Sequence, residues 1–270
     1  MTRKLFLICI IPYLLFGCSK EDVAPVFLVE EYSPYFTVNM YEDAAIGNHP
    51  KVFTLKYDAR HKPLKRHWIV GCTFPPCPPA ERYMFDTVLY QNNTIRILPR
   101  SSHPEVEVIE SETLLKLAGA NQIEYRVLKL STRNGHDSVR YHYSNARLDS
   151  LSTYRVFVSG NSRKENTKYF RFDAAGNLAE VETREYSKDS YTPKEIIQVK
   201  TEMFGGYDTA PNPFQALFMF DDSFYRSLSK NNFTTYQVKI FETYSNTTTY
   251  GNKRSWQLTY DTRGVPVFIW

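Results

Sequence analysis

The chain has 270 residues, 42% hydrophobic, 15% aromatic and 23% charged, with 33 Lys and Arg against 29 Asp and Glu. So much large apolar side chain excludes a disordered chain, 11 glycines exclude a collagen-like one, and four cysteines are too few for a disulfide scaffold. The 20 Tyr, 18 Phe and 3 Trp favour strands, where aromatic rings fit a pleated surface.

In chain order, Arg3 and Lys4 precede an uncharged run from Leu5 to Phe16. A basic start followed by twelve apolar residues has the length of a signal peptide and is too short for a transmembrane helix. Leu15-Phe16-Gly17-Cys18 then sets a small residue before a cysteine. This resembles a bacterial lipobox, which implies cleavage between Gly17 and Cys18 and acylation (palmitate and related chains) of the Cys18 sulfur. The alternative is an ordinary signal peptide with an incidental cysteine. Ser19-Lys20-Glu21-Asp22 resembles the export signal of surface lipoproteins in the Bacteroidota. That implies an outer-membrane lipoprotein exposed at the cell surface, the alternative being a polar tether on a periplasm-facing one. The expected organisation is therefore a signal peptide over 1–17, a lipidated N-terminus and tether over 18–25, and a single β-rich domain over 26–270. Loss of residues 1–17 leaves 31 basic against 29 acidic side chains, mixed along the chain, so no nucleic-acid partner is expected.

Strands are expected over Val26–Val29, Tyr35–Tyr41, Val52–Tyr57, Arg66–Val70, Arg82–Tyr90, Thr94–Leu98 and Glu105–Ile109. Cys72 and Cys77 lie between two of these, and in an oxidising compartment thiols so close together are expected to form a disulfide. A zinc site with His61 and His67 is the alternative, although no finger spacing matches. Ser111-Glu112 ahead of Leu114, Leu115 and Leu117 reads as a capped short helix. Further strands are expected over Ile123–Leu130, Val139–Tyr143, Leu151–Val158, Lys168–Phe172, Ala179–Tyr186 and Ile196–Met203. A second helical insertion falls within Phe214–Leu228, before strands over Thr235–Tyr244, Ser255–Tyr260 and Val265–Trp270. The expected class is all-β with minor helical insertions, an antiparallel, strongly twisted meander curled into an incomplete barrel or a sandwich.

Three segments share one register: Tyr57-Asp58-Ala59-Arg60-His61, Phe172-Asp173-Ala174-Ala175-Gly176 and Tyr260-Asp261-Thr262-Arg263-Gly264. Asp suits the first position of a type I turn, and three residues later glycine enters the left-handed region without steric cost. His61 breaks that pattern, so the first copy should be the least regular. Tyr143-Ser144-Asn145-Ala146-Arg147-Leu148 reads as a degraded fourth copy, and Asn134-Gly135 as another tight turn. The unit resembles the YD, or RHS-type, repeat. Gly205-Gly206-Tyr207-Asp208 through Pro213-Phe214, with Leu228-Ser229-Lys230-Asn231-Asn232, is similar to a signature of Bacteroidota lipoproteins built from such hairpins. That resemblance implies architecture and supplies no catalytic residues.

Hydrolase elbows, zinc-protease helices, phosphate loops and Cys-x-x-Cys pairs are all missing from the sequence, so neither catalysis, a cofactor nor a metal is expected. Six scattered histidines read as solvated. The pairs Glu30-Glu31 and Asp221-Asp222, taken as strand residues, would point to opposite faces. The expected role is non-catalytic binding of a glycan or similar ligand, with Trp68, Trp256, Trp270, Tyr207 and Phe214 as a candidate aromatic platform; the competing reading, which outweighs it for any single ring, is that these are core residues or cross-strand pairs. The alternative is a structural or adhesion protein that presents a sheet edge to an envelope partner. Seven of the 12 aspartates precede Ser or Thr. Of these, Asp86-Thr87, Asp137-Ser138, Asp149-Ser150 and Asp208-Thr209 resemble O-glycosylation sites, with turn chemistry as the competing explanation.

Overall fold

The computed structural model describes residues 27–33, 50–70, 83–102, 111–119, 121–130, 134–188 and 195–268. Gly17, Cys18, the Cys72–Cys77 pair, Trp270 and the expected strands at 35–41 and 105–109 lie outside these residues, as does the Trp68 side chain.

Alternating apolar and polar residues joined by tight turns produce a meander in strict chain order. Its strands are β1 (Glu31–Tyr32), β2 (Pro50–Tyr57), β3 (Pro63–Val70), β4 (Tyr83–Gln91), β5 (Thr94–Ser101), β6 (Ser111–Gly119) and β7 (Gln122–Leu130). They continue as β8 (His136–Ser144), β9 (Arg147–Val156), β10 (Ser162–Phe172), β11 (Leu178–Tyr186), β12 (Ile196–Gly205), β13 (Thr235–Glu242) and β14 (Thr247–Tyr250). Each strand pairs antiparallel with its sequence neighbour. β15 (Arg254–Ser255) adds to β13, and β16 (Thr259–Tyr260) pairs separately with β17 (Pro266–Val267). Between β12 and β13 the chain leaves the sheet for a 3₁₀ turn at Pro213–Leu217 and a single helical turn, α1, at Phe224–Ser227.

Fourteen strands spaced about 4.8 Å apart would span roughly 60 Å if flat. Yet the short β12–β13 insert touches strands along the whole order. Phe214 meets Tyr32 of β1, Phe224 meets Tyr141 of β8, and Tyr225 meets Phe170 of β10 and Phe204 of β12. The sheet therefore curls round the insert as an incomplete barrel. It does not close, because β1 and β14 end the hydrogen-bonded order. At the β1 end, Ser33 donates its amide to the carbonyl of Phe268, so the C-terminal segment caps that edge. Phe214, Leu217, Tyr225 and Phe233 are fully buried against Ile95, Leu115, Leu151, Leu178 and Val181 from the sheet. Each such side chain contributes about 1.5–3 kcal/mol of hydrophobic stabilisation.

The three Asp hairpins share one geometry. Asp58, Asp173 and Asp261 each donate their amide to the carbonyl of the residue four on, and the amide of His61, Gly176 or Gly264 donates to the aspartate carbonyl. The side-chain Oδ1 accepts the amides of Arg60 and Lys62 in the first copy, Asn177 in the second, and Arg263 and Val265 in the third. All three closing residues are left-handed, with φ of 62° at His61, 91° at Gly176 and 75° at Gly264. Phe157 to Asn161 repeats the same backbone pattern without an aspartate, closed by Gly160 at φ 85°.

Several expectations need correction. Ser111–Gly119 is strand β6 and not a helix. Its Thr113 and Leu115 pair with Ile97 and Ile95 of β5, and that two-residue alternation into the core overrides the helix-like leucine spacing. The Tyr143–Leu148 unit is a two-residue turn with Asn145 and Ala146 both left-handed (φ 51° and 62°), not a copy of the Asp turn. Residues 27–29 lie outside any strand. The expected strand at Ser255–Tyr260 is broken into the ends of β15 and β16, and β17 is only two residues long.

Candidate functional site

Strand pairing places Arg66, Asp86, Arg126, Lys168, Thr183 and Glu202 on the same inward face as Leu55, Val88, Leu115, Val139, Phe170 and Val181. Charges on a core face require partners. Arg66 supplies two bonds to Asp86 Oδ2, from Nε at 3.0 Å and Nη2 at 2.7 Å, and reaches Asp222 of the insert from Nη1 at 2.6 Å. Tyr32 donates to the same Asp222 at 2.8 Å. Arg126 binds Asp221, with Nη2 2.6 Å from Oδ2. Asp221 and Asp222 therefore sit in a turn between the two helical segments, and each anchors the insert to a different arginine of the sheet. Burial opposes the Arg66 charge, but Asp222 and Asp86 outweigh it and its pKa rises. Burial raises the pKa of Asp86, with Arg66 pulling the other way. Deeper in, Glu202 accepts the hydroxyls of Tyr225 at 3.1 Å and Tyr236 at 2.7 Å.

The ends of the insert are joined by residues of the 205–214 and 228–232 segments. Asn212 donates to the carbonyls of Arg226 at 2.6 Å and Ser229 at 2.8 Å, and accepts the Phe214 amide. Asp208 accepts the Asn232 amide, while Ser229 and Asn231 bind Leu178 and Asn177 beside the second Asp hairpin. Arg226 is fully buried, donates to the Phe233 carbonyl and lies 3.9 Å from the Phe233 ring centre, beneath Trp256 and Phe268. Burial among these rings lowers its pKa.

A cleft of about 380 Å³ opens where the β6–β7, β8–β9 and β10–β11 turns meet the insert. Ile123, Leu148, Phe218 and Phe224 form its buried floor, and Asn121, Gln122, Asn145 and Arg147 its rim. Gln122 Nε2 donates to the Ala146 carbonyl at 3.0 Å, which ties two of the turns together. Arg147 reaches towards the third, with its guanidinium carbon 5.0 Å from the Phe172 ring centre and Nη2 beside Gly176. Tyr143 accepts the Ile123 amide at 2.9 Å, and burial raises its pKa to about 12, so the hydroxyl keeps its proton at neutral pH. Half-buried rings, amides and a hydroxyl on a concave surface are the groups that bind a polyhydroxylated molecule by stacking and hydrogen bonding.

Among the described residues, three of the expected platform rings do not form an open aromatic surface. Phe214 is fully buried against Tyr32 and Phe268, and Trp256 is buried against Phe233. Tyr207 is half-buried, with its hydroxyl committed to the Leu178 carbonyl. Phe214 and Tyr207 seat the insert. Of the hydroxyls beside aspartates, Thr209 is exposed, Thr87 and Ser138 are half-buried within β4 and β8, and Ser150 is buried in β9. The cleft residues Gln122, Tyr143, Arg147 and Phe172 escaped the sequence analysis because they come from three different hairpins. The one local signal was the irregular 143–148 turn, which projects Arg147.

No protein-family profile and no curated protein matches the sequence. In structure the chain is similar to a porin-like protein from Bacteroides vulgatus, with a TM-score of 0.50 and 14% identity over 80% of this chain and 84% of that one. The likeness is one of fold. On the outward face here, Arg171 pairs with Glu180 and Glu182, Arg184 with Glu182, and Arg96 with Glu112. A lipid-facing barrel surface carries an apolar band at those positions.

Proposed function

We infer that this chain is a lipid-anchored envelope protein, held in the outer membrane through Cys18, exposed at the cell surface, and binding a glycan without catalysis. The cleft between the hairpin tips is the observation that carries the binding role. It offers aromatic rings next to amide and hydroxyl groups, which stack on sugar faces and bond to sugar hydroxyls. The basic start, the apolar run and Gly17-Cys18 support the anchor, and likeness to a porin-like Bacteroides protein agrees with an envelope location. The charged outward face supports attachment to a membrane over insertion into it.

Isothermal titration of the soluble chain from Ser19 onwards against plant and host oligosaccharides tests the binding role. Heat from at least one member, lost on Phe172→Ala, is the expected result. Silence across the panel would refute it. For the anchor, labelled palmitate should enter the full chain and not the Cys18→Ala variant, and protease treatment of whole cells should digest the anchored protein. The second reading, a scaffold with an open edge, has support in β14, whose four residues are all exposed beside the exposed Tyr244.

A further inference from the structure

We propose that the hairpin-tip cleft selects an acidic saccharide, one bearing a carboxylate or a sulfate, with Arg147 as the anion-binding group. This deepens the glycan-binding reading above and rests on it.

Three observations converge. First, Arg147 is the sole charged residue among those lining the cleft, which include no Asp or Glu. Second, its guanidinium has no hydrogen-bond or ion-pair partner among the described residues; its recorded contact is the Phe172 ring. Elsewhere on the sheet Arg66, Arg96, Arg155, Arg163, Arg171 and Arg184 each pair with a carboxylate, whereas Arg140 lies over the Tyr154 ring, outside the cleft lining. Third, stacking on Phe172 holds the planar fork at the rim with its N–H groups uncommitted, and the Tyr143 hydroxyl donates to nothing in the described structure. A carboxylate or sulfate presents paired oxygens that match the fork, so one anionic ligand would receive two parallel charge-assisted bonds. Asn121 and Asn145 line the same cleft, and their amides suit ring hydroxyls. A neutral sugar would use the same rings and amides but leave the fork to water.

The test compares trigalacturonate, a sulfated galactose disaccharide without a carboxylate (neocarrabiose 4-sulfate) and neutral galactotriose on the chain from Ser19 onwards, by titration calorimetry at low and high salt. The expected result is at least tenfold tighter binding of an acidic ligand than of the neutral one, narrowing as salt rises. Arg147→Gln should remove that advantage while leaving the thermal midpoint unchanged, and Arg147→Lys should restore part of it. The uronate and sulfate arms separate the two anion types. Equal affinity for acidic and neutral ligands, or acidic preference that survives Arg147→Gln, overturns the proposal while the glycan-binding reading stands. No binding by any oligosaccharide, acidic or neutral, overturns both.

Discussion

Replacing Asp222 with alanine tests how the insert is fastened. In the folded chain Asp222 receives Arg66 Nη1 at 2.6 Å and the Tyr32 hydroxyl at 2.8 Å. The Arg66, Asp86 and Asp222 side chains are only 12%, 5% and 16% exposed, so water screens the cluster poorly. Removing one partner of a buried ion pair costs about 3–5 kcal/mol when the other charge is left alone. Here Asp86 stays bound to Arg66 through two bonds, which offsets part of that loss, whereas the Tyr32 hydroxyl loses its acceptor at about 1–3 kcal/mol. The expected destabilisation is about 2–4 kcal/mol. Glu112→Ala is the control, because its pair with Arg96 is 23% and 37% exposed and should be worth about 0–1 kcal/mol. Urea unfolding followed by Trp fluorescence measures both. A fall in the midpoint at unchanged slope for Asp222→Ala, well beyond the control, is expected. Equal shifts for the two variants would refute the idea that the aspartate pair anchors the insert.

Three further outcomes follow from the turns. His61 sits at φ 62° where the sister hairpins carry glycine, so His61→Gly should stabilise the chain by about 0.5–1 kcal/mol, and a lower unfolding midpoint would contradict this. Gly135→Ala would drive a methyl group into the Val156 carbonyl, whereas Gly160→Ala meets nothing within 4 Å, so the first should cost well over the ~1 kcal/mol of left-handed strain expected for the second. Backbone amides, chiefly those of Lys62 and Val265, hold the carboxyls of Asp58 and Asp261 below the ordinary aspartate range. Both pKa values are lower folded than unfolded, so their stabilising contribution is complete above the unfolded value and lost as pH falls through the folded one. Carbon-detected NMR titration should give midpoints for both below those of unstructured aspartates, and ordinary midpoints would remove the amide contribution.

Hairpins were legible in the sequence because their determinants are local. Aspartate at the turn start, glycine three residues later and two-residue alternation on either side act within about ten residues, and the all-β class, antiparallel meander and most strand limits follow from them. Where a segment's local pattern was ambiguous, pairing decided. Leu114, Leu115 and Leu117 suit a helix or a strand, and the waiting edge of β5 selects the strand. The insert was not legible as the body round which the sheet curls, because its contacts reach from Tyr32 to Phe268 and no spacing encodes them. The same holds for the aromatic rings. Composition announces 41 of them, yet only packing sends Phe214 and Trp256 into the core and leaves Phe172 at a rim beside Arg147. By itself the sequence determined the Asp turns and the strand class. The tertiary structure alone decided which charges anchor the insert and which one stays free at the cleft, since that depends on residues far apart in the chain meeting in a water-poor interior.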